Sequence, residues 1–169
     1  MSKPSPTNYP GYFQKYIDQV PEEDLFLAFE NQLPVISELL SGITEEKSTY
    51  AYAAGKWTLK ELLQHIIDTE RIFNYRALCF ARKETASLPG FEENDYAAHS
   101  AAGNRTWQTM VDELLIVRES TTLLFKSFSN DALASIGKAN NNPTSVAAIG
   151  FITVGHFYHH KKVMEERYL

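Results

Sequence analysis

The sequence predicts an all-α protein, a four-helix bundle with long crossover connections, and three observations carry that expectation. Apolar residues recur at spacings of three and four over most of the chain, the period of one helix face, and nowhere alternate as in a half-buried strand. Four of these periodic stretches have the length of bundle helices. Proline, glycine and hydroxyl residues stand at their ends, where helices start and stop. At 169 residues the chain has the length of a single domain, residues 1–169, with 1–20 as an N-terminal extension.

The first long helix is expected after Pro21, with Glu22, Glu23 and Asp24 near its positive end. It runs through LFLAFENQLPVISELL to about Leu40 and stops at Gly42. Pro34 inside it predicts a kink or a local break. The linker ITEEKSTYAYAAGKW has room for a short helical turn. Thr58-Leu59-Lys60-Glu61 then reads as a capping box, so the second helix starts at Thr58 and carries ELLQHIIDTERIFNYRALCFAR to about Lys83. Residues 84–104, containing SLPGFEENDYAAHSAAGN, exceed an ordinary connection; they are functional or partly helical and cross an end of the bundle. The third helix covers about Arg105 to Phe128, with Trp107, Met110, Leu114, Val117, Thr121 and Leu124 on one face. SNDALASIGKANNNP breaks the period, with Gly137, the Asn run and Pro143 as punctuation. The last helix runs from about Thr144 to Tyr168.

Composition excludes several function classes. Hydrophobic residues at 44% and charged ones at 22% are ordinary for a globular chain, and an aromatic share of 12% fits a well-filled interior. A formal net charge of −5 with dispersed basic residues argues against nucleic acid as a partner. The longest apolar run, VAAIGFITVG at 146–155, is broken by Thr153 and two glycines and is too short to span a bilayer, so no membrane partner is expected. Prolines in MSKPSPTNYPGYF interrupt the apolar run that a secretion signal would need. Cys79 is the single cysteine, which rules out an internal disulfide and a thiolate zinc cluster and fits a cytoplasmic location. It reads as an inert thiol packed in a helix.

The histidines carry the chemistry. His156 and His160 stand four residues apart in GHFYHHKKV, and on a helix such positions share one face, so two imidazoles can share one ion. His159 lies to the other side of His156, and a 156/159 pairing is open on spacing alone. His65 in the second helix supplies a third nitrogen, and a three-ligand set leaves one coordination position for water or substrate. Three neutral imidazoles leave a divalent ion its full charge, which acidifies bound water or thiol. The glutamate that serves as base in His-Glu-x-x-His is absent, Phe157 standing in its place, which disfavours peptide hydrolysis.

The segments GKWTLKELLQHIIDTERIFNYRALCFAR, LPGFEENDY and GHFYHHKKVMEERYL resemble the DinB-like superfamily of metal-binding four-helix bundles, over about Gly55 to Leu169. The Lys-Trp entry, the helix-two histidine, the Glu-Arg pair and the Gly-His with a double His follow in the same order. The resemblance implies a divalent metal, zinc, nickel, iron or manganese, held by His65, His156 and His160, with His159 off the metal as a pocket, interface or packing residue. It implies a small-molecule substrate, a homodimer, and either a hydrolase or a thiol-dependent S-transferase using a low-molecular-weight thiol. The favoured expectation is an S-transferase; a hydrolase and a non-catalytic metal-binding or stress-response bundle are the alternatives. No catalytic or thiol-binding residue is assigned.

Other residues receive two-sided expectations. Asp68, Thr69, Ile72 and Arg76 lie near the direction of His65 on the helical wheel. Asp68 either accepts a hydrogen bond from a ligand histidine or is solvated. Arg76 either binds an acidic substrate group or forms a surface ion pair. Glu70 and Arg71 brace the bundle or a dimer contact. His99 is a solvated loop residue, and Glu92, Glu93 and Asp95 can swing over the site. Tyr9, Tyr12, Phe13 and Tyr16 either form an interface or fold back over the bundle end.

Overall fold

A computed structural model describes residues 1–169 in full. Two short 3-10 turns, Pro6–Asn8 and Gly11–Phe13, lead into α1 (Gln14–Ile17). The bundle helices are α2 (Leu25–Ser41), α4 (Leu59–Ala81), α6 (Trp107–Lys126) and α8 (Val146–Arg167), with short helices α3 (Glu45–Ser48), α5 (Glu93–His99) and α7 (Asn130–Ala134) between them. Both α2 and α4 pack on α6 and on α8.

Capping residues set the helix starts. Asp24 caps α2, accepting from the backbone N–H of Phe26 and Leu27 at 2.9 and 3.1 Å. The expected capping box opens α4: Thr58 Oγ1 accepts from Glu61 N–H at 3.2 Å, and Glu61 Oε2 accepts from Thr58 N–H at 2.7 Å. Thr106 caps α6 and Ser145 caps α8. The linker does hold a helical turn, α3, capped by Thr44. Pro34 breaks nothing: α2 runs through it. The proline is on the exposed side, where the carbonyl deprived of a partner is open to water.

The expectation that strands occur nowhere is corrected by a hairpin, β1 (Ile136–Ala139) paired antiparallel with β2 (Asn142–Ser145). Its two-residue turn is Asn140-Asn141, with φ of 49° and 59°, the left-handed conformation that asparagine tolerates and a type I′ turn requires. Four-residue strands are too short to show a two-residue period, and the turn residues read only as a break. Leu88 of the long connection adds to this hairpin: its N–H donates to Lys138 O, and its carbonyl accepts from Asn140 N–H, both at 2.9 Å. The connection is partly helical through α5 and a 3-10 turn, Ala102–Asn104.

The interior is two apolar clusters separated by a polar layer. One surrounds Leu25, Phe29, Phe80, Phe125 and Phe151; the other surrounds Ile36, Leu63, Ile66, Leu114 and Phe157. On every bundle helix the changeover falls at a buried polar residue: Gln32 on α2, Thr69 and Glu70 on α4, Arg118 and Thr121 on α6, His156 on α8. α8 is buried without interruption from Val146 to Phe157, because α1, α2, α4 and the hairpin enclose it on all sides. Gly155 permits one of these contacts, since a Cβ there would collide with the Tyr16 backbone. The N-terminal aromatics thus fold back over the bundle, with Tyr9 and Phe13 buried and Tyr12 exposed.

Candidate metal centre

His65 comes from α4, whose start is fixed by the capping box; His156 and His160 come from the middle of α8 and the turn that follows. Their rings meet in the polar layer. His65 Nε2 lies 3.1 Å and His160 Nε2 3.0 Å from His156 Nε2. One ligand atom from each can be chosen with all three inside 4.8 Å. Trp57 packs on His65 with ring centroids 5.0 Å apart, and Tyr16 stands edge-on to His156 at 5.6 Å. The hydroxyl of Tyr168 donates to the backbone carbonyl of Trp57 at 2.7 Å and anchors the chain that carries this indole.

All three imidazoles are held neutral. Burial pulls the His65 pKa down to about 4, with His159 adding a smaller push. Burial, then the neighbouring histidines, holds His156 and His160 well below the ordinary histidine value. The donor set fits a metal ion on its own hydrogen-bond arithmetic. Each neutral imidazole carries one N–H and one bare nitrogen, so His156 Nε2 cannot satisfy both neighbours whichever tautomer it adopts. His160 Nδ1 is buried without a partner as well. Tetrahedral nitrogen ligands about 2.0–2.1 Å from zinc would lie about 3.3 Å from one another, close to the two shorter separations. A cation satisfies all three bare nitrogens at once.

The rings form part of the wall of a cavity of about 430 Å³, an ordinary size for a small-molecule site. Tyr12, Phe13 and Tyr16 of the N-terminal segment line it, with apolar Phe73, Ile149 and Ile152; Phe91 and Glu93 come from the long connection, and Asn140, Asn142 and Thr144 from the hairpin.

A family model described as the DinB superfamily matches residues 28–164. The chain belongs to the DinB superfamily. YfiT from Bacillus subtilis, described as a probable metal-dependent hydrolase with an unusual four-helix bundle topology, superposes with a TM-score of 0.73. The alignment covers 97% of this chain and 90% of YfiT at 15% sequence identity, a likeness of fold. No curated protein matches the chain significantly.

Within this DinB-superfamily chain the remaining candidates divide clearly. His159 is half-buried on the cavity wall, edge-on to Tyr16 at 5.3 Å, and is not one of the three converging nitrogens. Asp68 does not reach a ligand histidine; it accepts from Gln64 Nε2 at 2.9 Å and faces a shallow hollow with Asp95 and His99. His99 Nδ1 contacts Asp95 O at 2.7 Å on the surface. Glu92 caps α5, accepting from Asn94 N–H, and Glu93 is the one carboxylate on the cavity wall. Arg76 reaches the cavity, whereas Cys79 packs against the core away from it.

Glu70 and Arg71 both brace the bundle, but not as a pair with each other. Glu70 is bound by Arg118, whose Nε and Nη2 donate to its two oxygens at 2.8 Å each, and Arg71 pairs with Glu113. Both ties join α4 to α6. The sequence reading missed Arg118 and the hairpin residues. Arg118 hides beside Val117 among apolar neighbours, as a surface arginine would; the Asn140-Asn141 turn was the available signal for the hairpin.

Proposed function

We propose that His65, His156 and His160 hold one divalent metal ion with an open position facing the cavity, and that the protein is a metal-dependent S-transferase acting on a small molecule. The observation that carries this reading is the convergence of three neutral imidazole nitrogens on the wall of a cavity, with no carboxylate among them. A divalent ion held by neutral ligands lowers the pKa of a bound thiol and supplies a nucleophile at neutral pH. Such a reaction needs no protein base beside the metal, which agrees with a wall on which Glu93 is the only acid. Phe73, Ile149 and Ile152 give the cavity apolar lining, and Trp57 and Tyr16 pack on the ligand rings.

Hydrolysis is the second reading, favoured by the likeness to YfiT and by Glu93, which would serve as base for an attacking water. Elemental analysis of untagged protein tests the site. About one ion per chain is expected in the wild type and in His159→Ala, with loss in His65→Ala, His156→Ala and His160→Ala. No ion in the wild type, and none taken up from zinc, nickel, iron or manganese, overturns the metal reading. With metal present, product formed from an electrophile only when a thiol is supplied marks the transferase. Ester cleavage without thiol marks the hydrolase, and neither reaction leaves a non-catalytic metal-binding bundle.

A further inference from the structure

The histidines account for only one end of the cavity. Along its wall α4 places His65, Thr69, Phe73 and Arg76, a span of about 16 Å of helix. Thr69 is buried, yet its Oγ1 has no hydrogen-bond partner, which is costly unless a ligand or water supplies one. Arg76 is half-buried against the Phe91 ring at 5.9 Å, and its Nη2 donates to Pro89 O at 2.8 Å. It forms no ion pair, whereas Arg71, Arg105 and Arg118 each have a carboxylate. Glu93 shares the cavity but lies outside ion-pair distance of Arg76. A guanidinium carries five donors in a planar fork suited to a carboxylate, and here most of them are unused.

We propose that Arg76 selects an acid: the molecule that enters the cavity carries a carboxylate bound by the Arg76 guanidinium, while its reacting end lies at the three histidines and its polar middle meets Thr69. The second half of this statement rests on the metal reading above; the Arg76 half does not. Phe73, between His65 and Arg76 along α4, and the lining residues Ile149 and Ile152 fit an acyl or alkyl spacer. A bidentate, partly desolvated ion pair of this kind favours an acid over its alcohol by about tenfold or more.

Cobalt-loaded protein provides the test, because a thiolate bound to cobalt has its own absorption band and needs no turnover. Mercaptobutyrate, mercaptohexanoate and mercaptooctanoate are titrated, each beside the corresponding mercapto alcohol. At the best-fitting length the acid is expected to bind about tenfold more tightly than the alcohol. Arg76→Met, which keeps the apolar stem over Phe91, is expected to erase that ratio while leaving alcohol binding and cobalt content unchanged; Arg76→Lys keeps part of it. Equal binding of acid and alcohol by the wild type at all three lengths, or a ratio that survives Arg76→Met, overturns the proposal. If the protein takes up no cobalt, hexanoate against hexanol, followed by NMR shifts in metal-free protein, decides the Arg76 assignment. Preferential hexanoate binding lost in Arg76→Met supports it, and no such preference overturns it.

Discussion

The polar layer has two sides that solve the burial of polar groups in opposite ways. On the side of α2, α4 and α6 the groups satisfy one another, apart from Asn74 Oδ1 at the edge of the network, which is buried without a partner. Glu70 receives Arg118 twice and the Thr121 hydroxyl at 2.6 Å, Asn74 Nδ2 donates to Thr121 at 2.7 Å, and Gln32 accepts from Arg118 while donating to Val154 O at 2.8 Å. On the side of α4 and α8 the nitrogens of His65 and His160 both converge on His156 Nε2, which has a single proton or a single lone pair to offer two neighbours. In the first arrangement the Glu70 carboxylate, the Arg118 guanidinium and the Gln32 amide are closed on one another; the second is complete only with a cation. A buried polar cluster points to a ligand when its own donors and acceptors do not balance, and polarity alone does not make that distinction.

Breaking the closed side gives the largest effect. Arg118→Ala leaves Glu70 buried and uncompensated, and urea denaturation should show a loss of about 3–5 kcal/mol, with the Glu70→Leu/Arg118→Leu double variant losing less than Arg118→Ala.

Acid acts on the open side. His65 titrates at about 4 in the folded chain against 6.5 as its ordinary value, so between these pH values the unfolded chain binds more protons. The His65 contribution is fully present above about pH 6.5 and is lost as the pH falls toward about 4, amounting to no more than about 3 kcal/mol. Thermal midpoints of metal-free protein across this range measure it. A midpoint independent of pH between these limits would contradict the buried neutral imidazole.

Removing a conflicting nitrogen should cost far less than removing Arg118. In metal-free protein His156→Leu is expected to change stability by about 1 kcal/mol or less, because no complete bonding is lost. The same variant should abolish the rise in melting temperature that zinc gives the wild type. The smallest effect belongs to Arg71, the sequence neighbour of Glu70. Arg71→Ala removes an exposed ion pair to Glu113 and should cost about 0–1 kcal/mol by denaturation. Adjacent residues that join the same two helices would then differ several-fold through burial alone.

Much of the fold could be read along the chain because helix signals are local. The Thr58 box, the acidic run of Glu22, Glu23 and Asp24 at the helix start and the three- and four-residue spacing of Trp107, Met110, Leu114 and Val117 are contained within a few turns of backbone. The pairing of His156 with His160 is equally local, being a consequence of helical pitch. What escaped depends on contacts between distant segments. Leu88 joins the edge of the hairpin from about 50 residues away, the partner of Glu70 lies 48 residues away on α6, and Arg76 gains its setting only when Pro89 and Phe91 pack beside it. By itself, then, the sequence determined the long helices, the Thr58 capping box and the face on which two histidines stand. Only the tertiary structure decided which polar groups are satisfied and which stay open at the cavity, because that balance is set by donors and acceptors that meet across the bundle.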